Sequence, residues 1–219
     1  MTLSLHPETL HHPAAATVLQ YAQEFEPKVR ELLPELTDPL ELYVTDDFMI
    51  PEVGVGGFSW SDTIMSLSFD MDFPAKAAQK QQLFGTLLHE GFHIIQGHHG
   101  GDTSKQSEHR HILDNAIYEG AATIFEQKYA GVHAPWGDYS ALSTEELESI
   151  KVQLENVTNK QYRTVEGLWE KYAFYDPDDT IRWKVYRTGA WLVEKYLAKT
   201  GDDIRNLRTK SAREILEVL

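Results

Sequence analysis

The sequence predicts an α+β fold: a small antiparallel or mixed sheet in the N-terminal half, packed on one long helix, and a mostly helical C-terminal half. Two runs favour the extended state, residues 40–45 and 63–69, and between them Gly54-Val55-Gly56-Gly57-Phe58 has too little side-chain bulk for a helix. After Pro74 the periodicity becomes helical, and capping signals with apolar residues at three- and four-residue spacing then recur to the C-terminus.

In chain order, residues 14–33 carry Val18, Leu19, Ala22, Phe25, Val29 and Leu32 at helical spacing, with Pro27 expected to kink or restart the helix. The sheet follows at about 40–70, where Ile64, Leu67 and Phe69 mark the second extended run. Residues 76–96 form the long helix, closed by Gly97, and a second helix at about 107–129 ends near Gly131. Further helices are expected at 144–157, 164–172, 179–199 and 212–218, in a helical part covering 143–219. Ser143 with Glu146, and Ser211 with Glu214, have capping-box spacing.

With 42% hydrophobic and 25% charged residues, the 219-residue chain can bury a core, and no repeat or linker divides the expected single domain, 1–219. Twenty Lys+Arg against 34 Asp+Glu give a formal charge of −14, which repels nucleic-acid phosphates and anionic lipid. No apolar run reaches the roughly 20 residues of a membrane span, so a cytoplasmic location is expected. The absence of cysteine excludes disulfides and every thiolate metal site, leaving His, Asp and Glu as ligands. Of the ten histidines, His6, His11 and His12 are expected at the surface.

The long helix contains His89-Glu90-Gly91-Phe92-His93. Four residues apart on a helix, the two imidazoles project from one face, one turn above the other, and can hold one metal ion. Glu90 stands beside the open coordination position, where it can take a proton from the water the metal activates. Leu87, Leu88, Ile94 and Ile95 supply the opposite face for burial.

A catalytic zinc takes three protein ligands, and three places could supply the third. His99 stands where the HExxHxxGxxH pattern has its last histidine, but Gln96 replaces the glycine and all four methionines precede the motif, so no methionine turn follows it. Glu119, 26 residues after His93, is the better candidate: a helix, a turn and a return fit that spacing, and Gly120-Ala121-Ala122 would let its helix lie close to the motif helix. Glu108, His109 and His111 form the third option, better suited to outer roles, as are His98 and His99. Asp114 or Asn115, one turn before Glu119, could accept the second ring N–H of a ligating histidine.

The chain resembles a family of predicted Zn-dependent proteases, first catalogued as a domain of unknown function, and more broadly the gluzincins. The resemblance rests on Gly54-Val55-Gly56-Gly57-Phe58, His89-Glu90-Gly91-Phe92-His93, Asn115-Ala116-Ile117-Tyr118-Glu119-Gly120-Ala121-Ala122 and Tyr186-Arg187-Thr188-Gly189-Ala190-Trp191. It implies one Zn2+ held by His89, His93 and Glu119, Glu90 as general base, Tyr186 or Arg187 as oxyanion donor, and a gluzincin-like zincin core.

The reading is hydrolysis of peptides or proteins; its rivals are zinc chemistry on a non-peptide amide or ester, and a non-catalytic zinc-stabilised binding protein. Protonation of the ligating histidines should release the metal below about pH 6. An extended peptide is expected antiparallel along residues 54–58, with Gly54, Gly56 and Gly57 leaving the strand edge open, so that Gly56→Val would raise KM and spare stability; if these glycines only make a tight turn between strands, the same change would destabilise the fold. Oligomeric state is not legible.

Overall fold

The computed structural model describes residues 3–101, 105–175 and 179–219. They fall into two compact units, Met1–Ser104 with Glu126–Val132, and Lys105–Phe125 with His133–Leu219.

The first unit holds a four-stranded mixed sheet ordered β1-β2-β4-β3: β1 (Leu3–Leu5), β2 (Leu40–Val44), β3 (Val55–Ser59) and β4 (Ile64–Phe69). β1 and β4 lie parallel to β2, and β3 runs antiparallel to β4. β2 alternates as its sequence promises, with Leu40, Leu42 and Val44 buried. β1 is a strand that local pattern does not announce. Three residues carry too little periodicity, and only pairing with β2, 37 positions on, makes them extended.

Helix α1 (Ala15–Leu32) passes through Pro27 as one element instead of restarting there, and packs on β1 and β2. Helix α2 (Lys76–Gln96) lies against β3 and β4. It ends where expected: Gly97 takes φ 68°, and its N–H returns to the carbonyls of His93 and Ile94. Nearly every side chain of α2 from Leu83 to Ile94 is buried, which holds the motif rigidly in register.

Helix α3 (Ile112–Ala130) belongs to both units, because its residues up to Phe125 fall in the second and those from Glu126 in the first. It starts later than expected, after a single 3-10 turn at Lys105–Glu108. The second unit continues with α4 (Thr144–Asn156), α5 (Asn159–Thr164), α6 (Leu168–Ala173), α7 (Lys184–Thr200), a 3-10 segment at Ile204–Thr209 and α8 (Ala212–Leu216). Both expected capping boxes are formed, at Ser143 and Ser211. The single helix expected over 164–172 is divided instead, since Gly167 at φ 79° starts α6 from a left-handed residue. The helix expected from 179 begins only at Lys184, whose buried ammonium pairs with Asp179 at 2.8 Å.

Gly120 and Gly189 set the approach of α3 to α7. A Cβ on Gly120 would run into the Gly189 carbonyl group, and one on Gly189 into the Ala116 carbonyl. Gly120 therefore admits α7 within the second unit. Among the described residues no helix is long and apolar enough to cross a membrane.

Candidate metal centre

On α2, His89 and His93 are 7% and 4% exposed, with their Nε2 atoms 3.0 Å apart. Each ring is oriented from its other nitrogen. His89 Nδ1 lies 3.2 Å from Glu126 Oε1, and His93 Nδ1 lies 3.2 Å from Gln96 Oε1. Both oxygens are acceptors, so both Nδ1 atoms donate and both Nε2 atoms present lone pairs to one point. Two lone pairs facing each other at that distance repel unless a cation takes both. The separation is near the roughly 3.3 Å between two nitrogens that share a tetrahedral zinc.

Glu126 and Glu119 sit two turns apart on the continuous helix α3, and Glu126 anchors that helix at His89. The imidazoles of His89 and His93 offer two of the three protein ligands that a catalytic zinc takes, and Glu119, in the other unit, carries a carboxylate. Two imidazoles and a carboxylate suit zinc, so the residues present fit the ion.

The other histidines considered have contacts of their own. His99 is 1% exposed, but its Nε2 is 2.7 Å from Asp62 Oδ1 and its Nδ1 accepts the Gly101 N–H. His109 uses Nδ1 on Asn115 Oδ1 and stacks on Tyr118; burial pushes its pKa down. His111 pairs as an isolated bridge with Thr158, and Glu108 is exposed. His98 packs its ring on His93, with centroids 4.8 Å apart. Asp114 and Asn115 do not orient the ligands either. Asp114 Oδ2 accepts the Arg110 N–H, and Asn115 ties His109 to Asn159, so the carboxylate at His89 is Glu126, one that spacing did not single out. Tyr162 was not singled out either: burial, and then the charge of Glu119, push its phenol upward.

Glu90 lies under β3. Ser59, on that strand, places its hydroxyl 2.8 Å from Glu90 Oε2 and 2.8 Å from the Glu90 carbonyl oxygen. A Cβ on Gly57 would lie 2.6 Å from Thr86 Cγ2 and 2.8 Å from Glu90 Cγ, so the missing side chain lets the strand rest on Glu90.

β3 is an edge strand, but little of its edge is open. Val55 C=O accepts from Ile50 and Ser59 C=O from Gly100, which leaves Gly57 between them with its N–H and C=O outward and no partner among the described residues. The rail expected over residues 54–58 is thus confined to Gly57. Gly56 faces the Phe48 main chain, where an added Cβ would collide with the carbonyl oxygen. The expectation that Gly56→Val would spare the fold is therefore corrected: it should destabilise by about 3 kcal/mol or more, because backbone cannot yield as a side-chain tip can. Urea denaturation checks this, and wild-type stability of Gly56→Val would contradict the packing.

Tyr186 and Arg187 stand in the first turn of α7, with Arg187 against the Trp183 ring, 5.7 Å from its centroid. Burial pushes the Arg187 pKa down, against an opposing pull from Asp138.

The helix-borne pair of imidazoles, each oriented through its Nδ1, makes a candidate metal centre on α2. The chain belongs to the family described as "Predicted Zn-dependent protease (DUF2268)", whose model matches residues 18–217. No curated protein and no solved structure matches the chain.

Proposed function

We propose that the protein is a gluzincin-like peptidase, holding one zinc per chain on His89, His93 and Glu119 and using Glu90 as general base. The observation that carries this reading is the convergence of both Nε2 atoms on one point from neighbouring turns of α2, on the helix that also carries Glu90. Bound there, zinc would bring a water's pKa toward neutrality and polarise a carbonyl.

The chain's own residues supply the rest. Glu90 takes the proton of the attacking water and returns it to the leaving amine nitrogen. Gly57 offers its outward N–H and C=O to the main chain of an antiparallel substrate directly above Glu90, which favours a peptide over a small ester. Tyr186 or Arg187 stabilises the oxyanion. The partner is therefore a peptide or protein, and the formal charge of −14 disfavours nucleic acid and anionic membranes.

Treatment with a chelator should abolish cleavage of a quenched-peptide library, and one equivalent of zinc should restore it. Turnover of small amides or esters alone, with every peptide inert, would overturn the peptidase reading.

A further inference from the structure

The geometry points to Ser59 as the residue that positions the Glu90 carboxylate, so that the edge strand β3 aims the base. This rests on the reading of Glu90 as general base. Both residues lie in the first unit, on β3 and α2.

A glutamate on a helix has three side-chain torsions, and packing alone leaves the last of them loose, since rotation about a terminal sp³–sp² bond is broad. Ser59 removes that freedom. The Ser59 residue is 2% exposed and its hydroxyl lies 2.8 Å from Glu90 Oε2 and 2.8 Å from the Glu90 carbonyl oxygen, so its single proton has both acceptors in reach and, given to Oε2, holds the carboxylate beside its own main chain. With Oε2 held, Oε1 is turned toward Gly57 and lies 3.1 Å from the position a Cβ there would take. Gly57 and Ser59 are two apart on a strand and face the same side, which explains why one strand both clears space for the carboxylate and grips it.

A hydroxyl can donate or accept. With Glu90 as a carboxylate, the Ser59 proton serves Oε2. Once Glu90 has taken the water's proton on Oε1, Oε2 is the carbonyl oxygen of the neutral acid and still accepts the serine proton. The heavy atoms need not move, so the base keeps its aim through the proton transfer. A buried serine with only a packing role would need one acceptor, and the main-chain oxygen would suffice.

The test compares Ser59→Ala, Ser59→Thr, Glu90→Gln and the double variant Ser59→Ala/Glu90→Gln in the zinc-loaded protein. Ser59→Ala should lower kcat roughly tenfold to a hundredfold, the scale of a base misplaced by about an ångström, with KM, zinc content and melting temperature little changed. Ser59→Thr should restore most of kcat. In the Glu90→Gln background, Ser59→Ala should cause no further loss, because a residue acting through the base has nothing left to position. A crystal structure of Ser59→Ala, which needs no substrate, should show the Glu90 carboxylate displaced. An unmoved carboxylate, or an equal loss in both backgrounds, overturns the role of Ser59. Full activity in Ser59→Ala beside an inactive Glu90→Gln does the same. Wild-type turnover in Glu90→Gln overturns the general-base reading instead, and the crystal structure still reports on Ser59 as a clamp.

Discussion

Glu90→Gln should leave one zinc per chain and an unchanged melting temperature while lowering kcat by about 10²- to 10⁴-fold, the usual share of a general base. The amide matches the carboxylate in shape, so the packing under Gly57 survives, and its carbonyl oxygen can still accept the Ser59 hydroxyl. What it lacks is a basic oxygen. It can neither take the proton of the attacking water nor return one to the leaving amine, so binding persists and chemistry stops. Metal analysis, thermal melting and steady-state kinetics on one peptide measure the three quantities separately. Turnover equal to wild type in a zinc-loaded Glu90→Gln protein removes Glu90 from the mechanism.

Glu119→Ala should weaken zinc binding by more than about 100-fold, since losing only a partner of a metal ligand already costs 10–100-fold. Alanine suits the interior of α3, so the apo fold should persist. The zinc-dependent rise in melting temperature should vanish. At free zinc a thousand times Kd that rise corresponds to about 4 kcal/mol, on the order of 10 °C for a chain of this size. His99→Ala should keep its zinc, because His99 is committed to Asp62 and the Gly101 N–H. Calorimetric zinc titration of both variants decides the matter: tight binding by Glu119→Ala with loss in His99→Ala or His109→Ala would move the third ligand.

Much of this architecture was legible residue by residue. A helix repeats every 3.6 residues, so His89 and His93 had to share a face wherever α2 lay, and Gly97 had to end that helix. The same local rules marked β2, β4 and both capping boxes. They failed where one residue redirects the chain: Gly167 cuts an expected helix in two, and α7 begins only after Trp183 in a left-handed conformation.

By itself, the sequence determined the α+β class, the spacing of the two histidines, the place of Glu90 between them and, through cysteine's absence, the kind of metal ligand available. All of these depend on neighbours within a turn or on composition. Only the tertiary structure decided which distant groups meet: Glu126 at His89, Ser59 at Glu90, Gly57 over Glu90, Gly56 against Phe48, and Gly120 against Gly189. The closest of these pairs in sequence is eight residues apart and the others are farther still, so no helical or strand period relates the partners. Each contact is set by how whole elements pack, with a glycine where two backbones, or a backbone and the Glu90 side chain, nearly touch.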